Sequence, residues 1–213
     1  MSPRERIAAT RLYLVCEQRP RLFLDAALRG GVDIIQLRDK SLDDAALVSA
    51  ARAFRAAADA AGALFILNDR PDLVEACHAD GVHVGQDDGD SRDARAAVGR
   101  DRIVGRSTHT PEQGAAAEAD PDVDYLAVGP VRATPTKPGR PAAGLGYVEW
   151  AASNVTKPWF AIGGLDAGNV AAVTGRGASR IVVVRAIAAA PDPAAAARAL
   201  RELLEERVGA AQP

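Results

Sequence analysis

The chain has 213 residues, of which 48% are hydrophobic and 25% charged, and its formal net charge is -2 at pH 7. This length can bury a complete hydrophobic core and fits one α/β barrel or one to two smaller domains. The small negative charge argues against binding to nucleic acid, which requires a basic face. The longest apolar run is far short of the roughly 20 residues that cross a bilayer. We therefore expect neither a nucleic-acid nor a membrane partner.

The two cysteines, Cys16 and Cys77, each lie in an apolar segment. Buried free thiols are a better interpretation than a disulfide or a metal pair, and they suit a reducing compartment. The N-terminal residues lead into no apolar core of the kind that signal peptides have. We therefore expect a cytoplasmic protein, and a homo-oligomer is compatible with the sequence.

Short apolar segments alternate with amphipathic, alanine-rich segments along the chain. The apolar segments predict eight strands, at residues 11–16, 32–38, 64–68, 81–85, 102–106, 123–128, 158–162 and 180–184. The amphipathic segments predict helices at residues 21–30, 42–61, 71–77, 91–98, 111–119, 147–154, 166–175 and 193–208.

This alternation predicts a parallel sheet, and eight repeats allow the sheet to close into a single (β/α)8 TIM barrel. We expect one domain over residues 1–213, with its core at about 11–208. An open doubly wound sheet is the structural alternative. The turn after the first strand, residues 17–20, lacks the glycine-rich dinucleotide fingerprint that such a sheet would favour.

Gln36, Arg38 and Lys40 occupy alternate positions at the end of the second predicted strand. On an extended strand their side chains point to the same side, toward the barrel interior. Two cations there would be costly without an anion, and Arg with Lys is a recurrent pairing at phosphoryl oxygens. We predict a phosphate-type ligand. Alternatively, Arg38 and Lys40 are solvated in the turn and paired with Asp39 or Asp43.

Asp69 and Asp88 follow the next two predicted strands. Carboxyl ends of parallel strands meet at one rim of a barrel, where substrates bind. The two carboxylates could therefore converge on Mg²⁺, which takes one or two carboxylates together with waters and phosphate oxygens. Asn68 adds an uncharged donor and acceptor beside them. Helix capping is the alternative role for either aspartate taken alone.

Three histidines are present, and the sequence supports neither a zinc site nor a Ser/His/acid triad among them. His109 follows the fifth predicted strand, and a structural role is its simpler interpretation. His78 and His83 show no ligand spacing with His109. His83 lies within a strand, and we interpret it as a packed residue.

The longest predicted loop, residues 129–140, combines two hydroxyls (Thr134 and Thr136), several prolines and glycines, and cations that include Lys137. It is a candidate lid over an anionic ligand, although a proline-rich surface connection would look similar. The last two strands end at Gly163-Gly164 and at Val184-Arg185. Backbone amides at these places form the phosphate site of many barrels.

Together these segments resemble the thiamine phosphate synthases, from Leu12 to about Leu204. The motifs that carry the resemblance are Gln36-Leu37-Arg38-Asp39-Lys40, Asn68-Asp69-Arg70, His83-Val84-Gly85-Gln86-Asp87-Asp88, Gly105-Arg106-Ser107-Thr108-His109-Thr110, Thr134-Pro135-Thr136-Lys137-Pro138 and Ile162-Gly163-Gly164. Six motifs in the family's order are specific, whereas the Gly-Gly pair alone would not be.

The resemblance implies a (β/α)8 transferase that joins 4-amino-2-methyl-5-hydroxymethylpyrimidine diphosphate to a thiazole phosphate carboxylate, releasing pyrophosphate and carbon dioxide. The family's pyrimidine diphosphate residues match Gln36, Arg38, Lys40, Asn68, Ser107 and Lys137. Its magnesium ligands match Asp69 and Asp88. Its thiazole phosphate residues match Thr134, Thr136 and Gly164, with main chain near Val184 and Arg185.

The chain departs from the family's pattern at Arg185, where relatives often have a small hydroxylated residue. Two other functions stay open. A thiazole tautomerase of the same barrel type would use a His at the place of His109 for proton transfer, but such enzymes lack the full diphosphate and metal set. A non-catalytic binding protein of the thiamine pathway would bind the ligands without turnover.

Overall fold

A computed structural model describes residues 2–133 and 141–209. Eight parallel strands pair in sequence order and close into a barrel through β1 and β8, which confirms the predicted (β/α)8 fold. Thr134, Thr136 and Lys137 lie outside the described residues. The strands are β1 Leu12–Cys16, β2 Ile34–Leu37, β3 Leu64–Asn68, β4 Gly81–Val84, β5 Ile103–Thr108, β6 Tyr125–Val128, β7 Trp159–Ile162 and β8 Ile181–Val183.

Side chains on the two faces of each strand pack into different parts of the hydrophobic core. In β1, Tyr13 and Val15 point into the barrel, whereas Leu12 and Leu14 point outward to the helices. Both faces are buried, so a parallel strand reads as a continuous apolar run. Inside the barrel, the ring of Phe160 meets those of Tyr13 and Tyr125 edge to face at centroid distances of 5.5 Å.

The helices of the described part of the chain are α1 Pro3–Arg6, α2 Arg21–Arg29, α3 Asp44–Ala61, α4 Ser91–Val98, α5 Pro111–Ala119, α6 Gly144–Asn154, α7 Val170–Thr174, α8 Arg185–Ala188 and α9 Pro193–Gly209. Within the described ranges, no helix has both the length and the apolar character needed to span a membrane.

Two predicted helices were wrong in whole or in part. Residues 71–77 form one 3-10 turn, Pro71–Leu73, and then irregular turns that end at His78 with φ +50°. That segment is too short for an α-helix to develop between β3 and β4. The predicted helix 166–175 is helical only from Val170, because the carboxylate of Asp166 accepts the amide of Gly168 and holds a turn there.

Three aspartates connect neighbouring strands at the rim where the strands begin, the N-terminal rim of the barrel. Asp33, Asp80 and Asp124 each directly precede an even-numbered strand, and each accepts a hydrogen bond from a backbone amide at the start of the preceding strand. Each also pairs with an arginine from a helix, at 2.7, 3.0 and 2.5 Å respectively. Charge pairs at this rim serve stability rather than chemistry, because barrel active sites lie at the other end.

Candidate active site

Two adjoining cavities open at the carboxyl end of the barrel. The larger has a volume of about 330 Å³ and the smaller about 80 Å³. They share a wall formed by Ser107, Ala127, Ile162, Val182 and Val184. The larger is lined by residues that follow β5 to β8, and the smaller mainly by residues from β1 to β5.

The smaller cavity brings the charged residues of the sequence analysis together. Its lining includes Gln36, Arg38, Lys40, Asn68, Asp69 and Asp88. These six side chains come from three separate strand ends. The closed topology gathers them because β2, β3 and β4 are neighbours in the barrel.

Lys40 lies between the two aspartates. Its ammonium is 3.2 Å from Oδ2 of Asp69 and 3.8 Å from Oδ1 of Asp88. Asn68 donates a hydrogen bond of 2.6 Å to the same oxygen of Asp69. A Cβ on Gly85 would lie 2.3 Å from Oδ2 of Asp88, so glycine is required for that carboxylate to fold back over the end of β4.

The backbone at Asp69 is itself unusual. Its φ is +57°, in the left-handed region that Asp tolerates better than most residues. Its amide still donates to the carbonyl of His83, at 2.9 Å. The bend therefore occurs just past the last paired position of β3, and it sets the direction in which the carboxylate leaves the strand.

The larger cavity is lined by the remaining predicted site residues that the structure describes. Gly163, Gly164, Val184, Arg185 and His109 line it. Gly163 has φ +113°, and a Cβ there would lie 2.6 Å from Cα of Pro130, so only glycine fits. Arg185 is an exposed residue at the start of α8, a short helix that the sequence analysis did not predict.

His109 is held in one orientation on the wall of this cavity. Its amide donates to the side chain of Gln113 at 2.8 Å, at the beginning of α5. Its Nδ1 is hydrogen-bonded to the carbonyl oxygen of Gly129, which can only accept. Nδ1 therefore carries a proton, and a neutral ring has its lone pair on Nε2.

Three polar residues at the floor of the smaller cavity, Tyr13, His83 and Tyr125, were not among the predicted site residues. His83 is buried, as predicted, but its two ring nitrogens contact hydroxyls: Nδ1 lies 2.8 Å from that of Tyr125 and Nε2 lies 2.9 Å from that of Ser107. The hydroxyl of Tyr125 lies 3.0 Å from that of Tyr13, which in turn is hydrogen-bonded to the amide of Gln36. The alternation of small residues with His83, from Gly81 in β4 to Gly85 directly after it, was the available signal.

Both phenols stay protonated. Burial raises the pKa of Tyr13 and of Tyr125 above the ordinary value of 10.0. A Cβ on Gly105 would lie 2.1 Å from the ring of Tyr125, so glycine in β5 makes room for this ring inside the barrel.

Oxygen ligands for a divalent cation are few here. In residues 2–133 and 141–209, no three His, Cys, Asp or Glu side chains are grouped so that they could hold a metal ion. Asp69 and Asp88 are a pair of carboxylates that already share one cation, the Lys40 ammonium.

Comparison with known proteins gives one consistent result. The family model for thiamine monophosphate synthase matches residues 12–187. A thiamine-phosphate synthase from Thermus thermophilus is 54% identical over 202 residues, which cover 91% of this chain and 97% of the relative. One from Thermobifida fusca is 50% identical over 207 residues, covering 94% and 95%.

Solved structures agree. A thiamine phosphate pyrophosphorylase from Pyrococcus furiosus has a TM-score of 0.86 at 29% identity, covering 95% of this chain and 99% of that one. A 3-hexulose-6-phosphate synthase, at 22% identity and a TM-score of 0.64, shares the fold alone. The chain belongs to the thiamine monophosphate synthase family, and it is accordingly an enzyme, a transferase of thiamine biosynthesis.

Proposed function

We propose that the chain acts as a single catalytic domain that joins 4-amino-2-methyl-5-hydroxymethylpyrimidine diphosphate to a thiazole phosphate carboxylate. The products are thiamine phosphate, pyrophosphate and carbon dioxide. The observation that carries this proposal is the pair of adjoining cavities, one lined with charges and the other with glycine-rich turns, which share a wall at Ser107. Two substrates that must react with each other need sites that meet.

The smaller cavity would hold the pyrimidine diphosphate, through Gln36, Arg38, Lys40, Asn68 and Ser107, with Lys137 added from the loop. Asp69 and Asp88 would hold Mg²⁺. Two carboxylates fit this ion, because it usually keeps waters and takes its remaining ligands from substrate phosphates. When bound, it supplies positive charge to the oxygens of the leaving diphosphate.

The reaction begins with departure of pyrophosphate. The bond between the pyrimidine CH2 and the diphosphate oxygen breaks, and the electron pair leaves with the oxygen. Negative charge on the leaving group increases as the bond breaks, so Arg38 and Lys40 stabilise the transition state more than the ground state. The ring-stabilised cation at CH2 is then captured by the lone pair of the thiazole nitrogen. The carboxylate then leaves as carbon dioxide, the electron pair of the broken C–C bond stays on the thiazole-derived part, and one proton taken up there completes thiamine phosphate. No protein nucleophile is needed.

The larger cavity would hold the thiazole phosphate. Its turn at Gly163 and Gly164 keeps the chain close to the ligand, and N–H groups there and near Val184 and Arg185 would bind the phosphate, with Thr134 and Thr136 from the loop. The carbonyl oxygens of Gly163 and Gly164 are already bonded to Arg132 and Asn169, at 3.2 and 2.9 Å. His109 would position the thiazole or take part in proton transfer.

The charged cavity favours this reaction over thiazole isomerisation, which needs no diphosphate site. A direct assay separates the functions. Purified protein is incubated with both substrates and Mg²⁺, and thiamine phosphate is measured. We expect stoichiometric thiamine phosphate and pyrophosphate, and no product in excess chelator.

Three other results would contradict the proposal. Isomerisation of the thiazole without condensation would indicate a tautomerase. Calorimetric binding of both substrates without turnover would indicate a binding protein. Full activity in excess chelator would remove the metal from the mechanism.

A further inference from the structure

A continuous chain of hydrogen-bonding groups crosses the barrel along the floor of the smaller cavity. It runs from the amide of Gln36 through the hydroxyls of Tyr13 and Tyr125 to the ring of His83 and the hydroxyl of Ser107. All five residues are buried, with at most 8% of their surface exposed. Gln36 and Ser107, at the two ends, line the cavity, and so do Tyr13 and His83 within the chain, whereas Tyr125 does not. The chain therefore connects the polar groups of Gln36 and Ser107 that a ligand can touch.

The proton count makes this chain directional. Each phenol has one proton and can donate to only one neighbour. The Nε2 group of Gln36 donates to the hydroxyl of Tyr13. If every proton is used within the chain, Tyr13 then donates to Tyr125, and Tyr125 donates to Nδ1 of His83. A neutral ring then has its proton on Nε2 and donates it to Ser107.

The two ends of the chain are therefore coupled. In this arrangement the side-chain carbonyl oxygen of Gln36 can accept a hydrogen bond from a ligand, and the hydroxyl of Ser107 can donate one to it. In the opposite arrangement, donor and acceptor are exchanged in every hydrogen bond of the chain. The NH2 group of Gln36 can then donate to a ligand, whereas the hydroxyl of Ser107 can only accept. Neither end can change its polarity unless Tyr13, Tyr125 and His83 change with it.

We propose that Tyr13, Tyr125 and His83 are positioning residues that set the polarity of Gln36 and Ser107, and that they thereby select a ring with an amino donor beside a ring-nitrogen acceptor. This inference rests on the proposed function, because it assigns the pyrimidine to the smaller cavity. A 4-aminopyrimidine has this pattern of groups. The corresponding 4-oxopyrimidine has the opposite pattern, a carbonyl acceptor beside an N–H donor, and would leave buried groups unpaired.

Binding is the appropriate measurement, since an oxo group would also change the reactivity of the ring. Calorimetry with Mg²⁺ and no thiazole gives dissociation constants for the 4-amino and 4-oxo pyrimidine diphosphates. The variants are Tyr13→Phe, Tyr125→Phe and the double variant, each of which interrupts the chain while keeping the ring. Tyr147→Phe is the matched control: Tyr147 is also buried, and its hydroxyl donates to Thr108 at 2.7 Å, outside this chain.

We expect the wild-type protein to prefer the 4-amino ligand, and each single variant to reduce that preference by about 10-fold or more. Part of the change should be tighter binding of the 4-oxo ligand, because a released Gln36 can turn its NH2 group toward it. A general loss of structure would weaken both ligands instead. The double variant should lose no more preference than either single variant, since both interrupt one unit.

An unchanged preference in either folded variant, or additive losses in the double variant, would overturn the inference while leaving the proposed function intact. If one single variant fails to fold, the ligand preference of the other single variant tests the inference. If the wild-type protein binds neither diphosphate, the proposed function fails and the inference fails with it.

Discussion

The ammonium of Lys40 lies 3.2 Å from Oδ2 of Asp69. The same ammonium is 3.8 Å from Asp88, so one side chain offsets half of the charge of the two carboxylates of the proposed magnesium site. Binding of Mg²⁺ between these aspartates would place two cations together unless Lys40 moves. Phosphate oxygens of the substrate would give Lys40 a new partner and make the two binding events cooperative.

This arrangement predicts that Lys40 opposes metal binding when no diphosphate is present. Lys40→Gln should strengthen Mg²⁺ binding by about fivefold or more, since even two unit charges near 4 Å interact by about 1 kcal/mol in a water-like dielectric and Mg²⁺ carries a double charge. Turnover should nevertheless fall, because the leaving group loses a cation. Calorimetric titration with MgCl2 measures the Mg²⁺ affinity. In the control variant Lys40→Arg, which keeps the positive charge, this affinity should stay as low as in the wild-type protein. Weaker metal binding in Lys40→Gln would contradict the prediction.

Arg38 lines the smaller cavity and is expected to stabilise the departing pyrophosphate. Arg38→Ala should lower kcat by on the order of 10²-fold, the scale for loss of one preorganised charge-stabilising group. Steady-state kinetics with both substrates saturating measures this. The control is Arg52→Ala, which removes an exposed arginine from α3 and should leave kcat unchanged. Similar losses in both variants would point to instability.

Gly164 and Gly62 form a matched pair for testing the larger cavity. Their φ angles are +67° and +66°, so alanine strains each backbone by roughly 1 kcal/mol; at Gly164 the added Cβ would also lie 3.0 Å from Cβ of Arg132. Only Gly164 lines the cavity. Gly164→Ala should raise the KM for thiazole phosphate and leave that for the diphosphate unchanged, whereas Gly62→Ala should change neither. A rise confined to the diphosphate KM would mean that the two subsites are assigned in reverse.

Asp124 is expected to be the most costly of the rim aspartates to remove. Its side chain is 7% exposed and accepts bonds from Arg95, Arg4 and the amide of Val104. Asp124→Ala would leave the largely buried Arg95 without a carboxylate partner, although its bonds to three backbone carbonyl oxygens stay, and should cost about 3 kcal/mol in the free energy of unfolding. Asp59→Ala removes a 65% exposed partner of Arg55 and should cost less than about 1 kcal/mol. Urea denaturation of both variants tests the difference.

Burial raises the pKa of the Cys16 thiol from 9.0 to about 12. Between these values the unfolded thiol has lost its proton and the folded thiol has kept it, so rising pH favours unfolding. This part of the stability is complete below pH 9 and is lost progressively toward pH 12. At pH 10 the loss should be on the order of 1 kcal/mol.

The Cys16→Val variant isolates this contribution. The free energy of unfolding should fall less between pH 8 and pH 10 in the variant than in the wild-type protein, when both are measured by urea denaturation. In the folded wild-type protein, Cys16 should also resist iodoacetamide at pH 8. Rapid alkylation without denaturant would show that the thiol is more accessible than its burial indicates.

The sequence by itself determined the eight strands, their order and the rim at which Gln36, Arg38, Asp69 and Asp88 lie. Apolar segments of strand length are local signals, and parallel strands place every residue that follows them at one end of the barrel. Helix boundaries were less predictable: residues 71–77 form turns, because a segment that short depends on the strands it connects.

Only the tertiary structure decided which side chains meet across the barrel. The hydroxyls of Tyr13 and Tyr125 are 112 positions apart in the chain, and they come within 3.0 Å because the barrel is closed and its register brings both residues inward. The bridge from Lys40 to both aspartates and the wall shared by the two cavities depend on that same closure. Periodicity assigns a face to each residue, whereas distances between strands depend on the register and shear of the whole sheet.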